Sequence, residues 1–363
     1  MLIQKFTTLF KDVTRQGTKI PKEEYLTHGK NIIIDQGQDI IAGYTNCEDG
    51  IFKKIPAIVF GDHTRIIKYV DTPFFLGADG VKVLKCTDKN ANYRYLYYAL
   101  KNAHIPNTGY NRHFKWLKEI TINYPDKNRQ NDIVNILDKL EYIIKMKSQE
   151  LDKFDELIKA RFVEMLGDPQ DSKSKWKKST IEKCCTLKSG KTLPRNIENE
   201  GGNIPYVKVK DMNSLENTTY ITTSTRFVSD KTANKSIFPV GTVIFPKRGG
   251  AIGTNKKRLT KVPICADLNI MGVIPDNTRI SSYYLFEYFN MVDLNTLNNG
   301  SSVPQINNKD INPLNINIPP LSLQNEFANF VHQVDKSKFE NIVYLNKTLS
   351  SKILSQLGDA IRD

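Results

Sequence analysis

Two stretches of this 363-residue chain carry an apolar residue every three or four positions for far longer than an ordinary globular helix requires. In "NDIVNILDKLEYIIKMKSQELDKFDELIKARFVEMLG" those positions are Ile133, Leu137, Leu140, Ile144, Leu151, Phe154, Ile158, Phe162 and Leu166, with neither Pro nor Gly before Gly167. At helical rise this is a rod of about 50 Å. "QNEFANFVHQVDKSKFENIVYLNKTLSSKILSQLGD" repeats the pattern with Phe327, Phe330, Val331, Val334, Phe339, Leu345, Leu349 and Leu357. One apolar seam along a helix needs a partner, and the other rod is the obvious one.

Both rods sit in the same context. "ITINYPDKNRQND" at 120–132 parallels "LNINIPPLSLQNE" at 314–326, each a short alternating strand, a proline and a polar helix start, and both rods end in "LGD". The chain therefore reads as globule, rod, globule, rod, with boundaries at 1–129, 130–167, 168–320 and 321–363. Within the globules, "AIVFGDHTRIIKYV" corresponds to "TVIFPKRGGAIGTNKKRLT", an apolar strand ending in Phe and then a basic, Gly-containing loop. "NTGYNRHFKWLKEITINYP" corresponds to "NNGSSVPQINNKDINPLNINIP". β-Branched and aromatic runs broken by Gly, Pro and Asn argue for much strand, with one short helix each in "YRYLYYALKN" and "SYYLFEYFNM". The expected fold class is α+β: two mixed α/β domains separated by two long helices packed as an antiparallel coiled coil.

Charge divides the same way. The net +13 resolves into +7 for residues 1–129, −3 for 130–169, +9 for 170–320 and zero for 321–363. The globules hold all the excess, which suits a polyanionic partner. No secretory signal pattern opens the chain and no apolar stretch approaches a membrane span, so a cytoplasmic protein with no membrane partner is expected. Five unpatterned cysteines, Cys47, Cys86, Cys184, Cys185 and Cys265, agree with a reducing compartment.

Motifs for chemistry are missing. "LKSGKT" at 187–192 invites a phosphate-loop reading, but the first glycine of such a loop is Cys185 here. Asp62 and His63 in "FGDHT" have no third orienting group in the sequence, and the five histidines show no metal spacing. No methyltransferase base-clamping motif or glycine-rich cofactor loop is present, so no catalytic, cofactor-binding or metal residue is assigned.

What remains is a set of basic loops. The first globule offers His63, Thr64, Arg65 and Lys68, then Tyr110, Arg112, His113 and Lys115. The second offers Lys208 and Lys210, then Lys247, Arg248, Lys256, Lys257 and Arg258. Arg and Lys pair with phosphates or guanine edges, and glycines let the backbone approach a duplex. Asp62 reads as a turn cap that orients these neighbours.

These same blocks, "FGDHTRIIKYVDTPFFLGADGVKVL", "IEKCCTLKSGKTLP", "GGNIPYVKVKDM" and "PPLSLQNEFANFV", resemble the DNA-specificity subunit of type I restriction-modification systems over essentially the whole chain. The resemblance implies two target recognition domains, each reading half of a split, asymmetric double-stranded DNA sequence. The two helices would hold two copies of an adenine-N6 methyltransferase subunit, joined by two copies of a motor-nuclease subunit. This chain would bind no cofactor itself, with S-adenosylmethionine, ATP and Mg in the partner subunits, and would be a non-catalytic part of the enzyme. On the same resemblance, Lys247, Arg248 and Gly249 match the loop that "DHT" occupies in the first domain, and Ser301, Ser302 and Gln305 match the "TGYNRHF" loop. The outer rod faces, including Phe327, Phe330 and Phe339, are expected to meet the methyltransferase subunits. A recognition subunit serving a methyltransferase alone, or a non-enzymatic nucleic-acid-binding scaffold, fits the same residues.

Overall fold

A continuous run of apolar side chains makes a strand that can be buried on both faces, and each half of the chain has one at its centre. The computed structural model describes residues 2–77, 80–234, 236–297, 303–344 and 361–362. It divides into two compact units, Met1–Gln149 with Asn341–Asp363, and Glu150–Glu340.

In the first unit the central strand is Ala57–Gly61, buried along its whole length. It lies in a four-stranded antiparallel sheet in the order Phe10–Asp12, Val81–Cys86, Ala57–Gly61, Ile67–Val70. Ile58 and Phe60 face a core shared with the short helix Tyr93–Lys101, while Ala57 and Val59 face Phe74 and Leu76 of a second sheet. Asn92 caps that helix by accepting from Arg94 N and Tyr95 N.

The second unit repeats the plan. Its central strand, Val243–Pro246, lies in a five-stranded sheet between Ile270–Pro275 and Arg258–Thr260. Val243 and Phe245 face the core under the short helix Ser282–Met291, where Phe245 stacks on Phe289 with centroids 5.6 Å apart. Ile244 faces the opposite way, toward Phe238 and Val207. Ser281 caps this helix through Tyr284 N.

The first long helix runs Lys127–Leu166, 40 residues, and stops at Gly167, whose φ of +73° ends a helix without a Cβ clash. The second runs Leu321–Val343; Leu345, Leu349 and Leu357 lie outside the described residues. The seam expected to face only the other rod is divided. Ile133, Leu137 and Leu140 are buried in the first unit's core beneath Leu96 and Ala99, and Ile144 packs against the same cluster. Leu151 is half-buried and belongs to none of the hydrophobic clusters found among the described residues. Phe154 packs against the second unit's core, where Ile158, Phe162 and Leu166 meet Phe327, Val331 and Val334. Phe327 is therefore an interior residue rather than part of an outer face, Phe330 is partly buried, and Phe339 remains 67% exposed. A helix beside a globule buries whichever stripe the globule covers, and periodicity alone does not say which surface that is.

Candidate nucleic-acid interface

Each central strand delivers the chain to a loop, and in each unit a second, distant loop is tied to it by backbone hydrogen bonds. In the first unit the strand ends in a tight turn with Arg65 at φ 63° and Arg65 N donating to Gly61 O at 2.7 Å. Asp62 is only 3% exposed. Its carboxylate accepts Phe114 N at 2.7 Å and its carbonyl accepts His113 N at 2.8 Å, so "GDHT" and "TGYNRHF" form one surface. The lone carboxylate is thus a loop-to-loop fastener rather than the local turn cap expected from the sequence.

On that surface the His63 ring stacks on Tyr110 at 4.7 Å and 9°, and Tyr110 is 87% exposed. Arg112 and Lys115 are exposed beside it. Gln36 holds the turn from beneath, accepting His63 N through its side chain at 3.2 Å and Thr64 Oγ1 through its carbonyl at 2.7 Å. Arg65 donates to Ile105 O at 3.0 Å.

Two expected contact residues face inward instead. Lys68 is 4% exposed, with its ammonium on Asp39 O and 3.6 Å from Asp35 Oδ1, and burial lowers its pKa. His113 is fully buried with Nδ1 3.0 Å from Asp62 O. Both brace the loops, because a buried cation or imidazole that has found carbonyl partners loses them if it turns outward.

In the second unit Lys247 and Arg248 follow the central strand. Gly249 N donates to Pro304 O at 2.8 Å and Ile306 N to Lys247 O at 2.9 Å, stitching this loop to the "VPQI" segment. Arg248 reaches Gln305 Oε1 at 3.4 Å, and Gln305 in turn donates to Asn307 Oδ1 at 2.7 Å. Lys247 donates to Ser189 Oγ at 2.8 Å, and its pKa is lowered by burial and then by Arg248. Ser301 and Ser302 lie outside the described residues.

The glycine of "SGKT" has a packing explanation. A Cβ on Gly190 would fall 2.1 Å from Asp267 O, and the amides of Gly190 and Lys191 are taken by Ile270 O and Ala266 O. No amides at these two positions are left to cradle a phosphate.

The other basic residues divide again. Lys210 is exposed, Lys256 binds Asn213 Oδ1, and Lys208 forms a 2.5 Å pair with Glu198, which also meets Arg226 at 3.3 Å. The hydrogen bond from Lys208 lowers the Glu198 pKa. Lys257 and Arg258 are corrections to the expected contact set. Arg258 donates to Asn217 O at 2.6 Å, Met212 O at 3.1 Å and Lys257 O at 2.8 Å. Lys257, 4% exposed, donates to Val292 O at 2.6 Å and Asn255 Oδ1 at 2.8 Å, and burial brings its pKa down to about 8.

That lowered pKa has a testable sign. Between about pH 8 and the ordinary lysine value the unfolded chain keeps a proton that the folded one has released, so stability rises with pH through this window. Lys257→Met is expected to lack that rise, changing its stability difference from wild type by about 3 kcal/mol at most between pH 7.5 and 10.5. Urea denaturation at the two pH values measures it, and a pH-independent difference would refute the assignment.

Gln36, Ser189, Glu198 and Arg226 were not singled out in the sequence. Gln36 and Ser189 fall inside "IIIDQG" and "LKSGKT", where neither charge nor periodicity marks them. Among the described residues no group of three or more His, Cys, Asp or Glu could hold a metal ion, and no helix is long and apolar enough to cross a membrane.

Comparison with known proteins agrees on one family. The family model for the type I restriction modification DNA specificity domain matches twice, over residues 8–153 and 173–350. The EcoR124I/EcoR124II specificity subunit of a type I restriction enzyme from Escherichia coli is 24% identical over 326 residues, covering 84% of this chain and 79% of its own. The solved S subunit of a type I restriction-modification system from M. genitalium aligns with 100% of this chain and 96% of its own, at a TM-score of 0.55 and 19% identity. A chain from a structure of complex assembly and conformational transition in the type I system covers 98% of this one and 94% of its own, at a TM-score of 0.54 and 13% identity. At these identities the structural likeness concerns the fold.

Proposed function

Because the chain belongs to the type I restriction modification DNA specificity domain family, we propose that it is the subunit that reads an asymmetric, two-part DNA sequence for such a complex and performs no chemistry itself. The observation that carries this reading is the pair of stitched loop clusters, one at the end of each central strand, basic in both units and unlike in sequence. Exposed Arg112, Lys115, Lys210 and Arg248 supply phosphate or base contacts, and Tyr110 and Gln305 supply shape and hydrogen bonding. Unlike loops read unlike half-sites.

The two recognition domains would be residues 1–129 and 168–320, with 130–167 and 321–363 as an antiparallel coiled coil that spaces them. In the second unit, contacts of Phe162 with Phe327 and of Asp155 with Lys338 support opposed helix directions. In this reading the chain works in the cytoplasm on double-stranded DNA with two methyltransferase and two motor-nuclease subunits. The target adenine would leave the duplex for the methyltransferase pocket, and S-adenosylmethionine, ATP and Mg would serve the partner subunits.

Co-expression with the methyltransferase subunit and mapping of N6-methyladenine in host DNA tests the reading. A two-part motif is expected, and exchanging residues 170–320 for those of another specificity subunit should change one half-site only. Methylation that ignores the exchange would refute it.

A further inference from the structure

We propose that each recognition unit is clamped to its own long helix at two matched points, and that these positioning residues set which spacing between half-sites is accepted. The inference rests on the function proposed above. The first point is a glutamine in the opening turn. Gln130 accepts Asn92 N at 2.9 Å and donates to Pro125 O at 2.9 Å. Gln324 accepts Ser281 N at 2.8 Å and donates to Pro319 O at 2.8 Å. Both glutamines are buried, and Asn92 and Ser281 are the N-caps of the two short helices, so each long helix starts locked to the cap of its neighbour. Beside each lock a tyrosine from the short helix, Tyr95 or Tyr284, donates to the strand carbonyl of Asn123 or Asn317.

The second point lies eleven residues further along in both cases, at Glu141 and Asp335. Eleven residues are three helical turns, so both attachments lie on one face of the helix, about 16 Å apart. Around Glu141 the short helix brings Lys101 to 3.0 Å and Arg94 to 3.5 Å, and the Tyr98 hydroxyl lies 3.0 Å from Glu141 Oε2 and 2.6 Å from Asp138 Oδ1, while Tyr220 donates to Asp335 Oδ2. The tyrosines come from different elements, the short helix in one unit and the strand Tyr220–Ile221 in the other. The helix positions themselves repeat, since "QNDIVNILDKLE" and "QNEFANFVHQVD" align without a gap, whereas the element that reaches the second carboxylate does not. A single attachment is a pivot, whereas two on one face fix the direction of the helix axis relative to the loops that meet DNA.

The test uses the full chain with its methyltransferase subunit and a plasmid library in which the base pairs between the half-sites are varied, read by N6-methyladenine mapping. Gln130→Ala with Gln324→Ala, and separately Glu141→Ala with Asp335→Ala, are expected to raise methylation at spacers one base pair longer or shorter at least tenfold relative to the wild-type spacer, with both half-sites unchanged. The carboxylate pair removes two half-buried side chains that lie outside the hydrophobic cores, and it carries the test if the glutamine variants do not fold. Methylation that falls equally at every spacer overturns the inference while leaving the proposed function intact. A wild-type complex that methylates no two-part motif overturns both.

Discussion

Phe162→Ala is expected to destabilise the protein by about 3–5 kcal/mol, a large part of the stability of an ordinary domain. Phe162 is buried where three helices of the second unit meet, with its ring 5.4 Å from that of Tyr284 and 5.2 Å from that of Phe327. Truncation removes both aromatic contacts and leaves a cavity that none of the three can collapse into without losing its other neighbours. The next residue is the control. Val163 is exposed, so Val163→Ala should stay within about 0.5 kcal/mol. Guanidinium denaturation of the two variants distinguishes them, and a loss below about 1 kcal/mol for Phe162→Ala would mean that this three-helix contact does not hold.

The second large effect separates two arginines ten positions apart. Arg248→Ala should weaken binding to the cognate duplex by about 1–3 kcal/mol, or lower the log–log salt slope by about 1 if its partner is a phosphate, while stability is unchanged. Arg248 is exposed, and the Gln305 side chain to which it bonds is itself on the loop surface. Arg258→Ala should do the reverse. Its guanidinium donates to three backbone carbonyls, and removing it leaves at least two of them without that donor in a partly buried site, at about 1–3 kcal/mol each. Salt-dependent DNA titrations paired with urea denaturation read both quantities. Equal effects of the two substitutions on DNA affinity, with stability untouched, would contradict the placement of Arg258.

Much of the architecture was legible because it depends on local periodicity. The strands Thr121–Tyr124 and Asn315–Ile318, the prolines after them and the start of each long helix lie where alternation and helix-start signals put them. The pairing of "GDHT" with "TGYNRHF" was legible only as two separate basic loops. That Asp62 fastens them through Phe114 N, across 52 residues, is a tertiary fact. Gln130 and Gln324 read simply as polar helix starts, and their burial follows from the caps of helices that begin some forty residues earlier.

The amino-acid order by itself determined the duplicated plan, the length of the first rod and the concentration of positive charge in the globules. Each of these is read from neighbouring residues summed along the chain rather than from any single distant contact. Only the tertiary structure decided which cations face outward. Lys68, Lys257 and Arg258 are as basic in sequence as Lys210 and Arg248, but carbonyls from remote segments reach the first three and hold them inside. A long charged side chain can lie on either side of a surface, and the hydrogen-bond acceptors within its reach select the side.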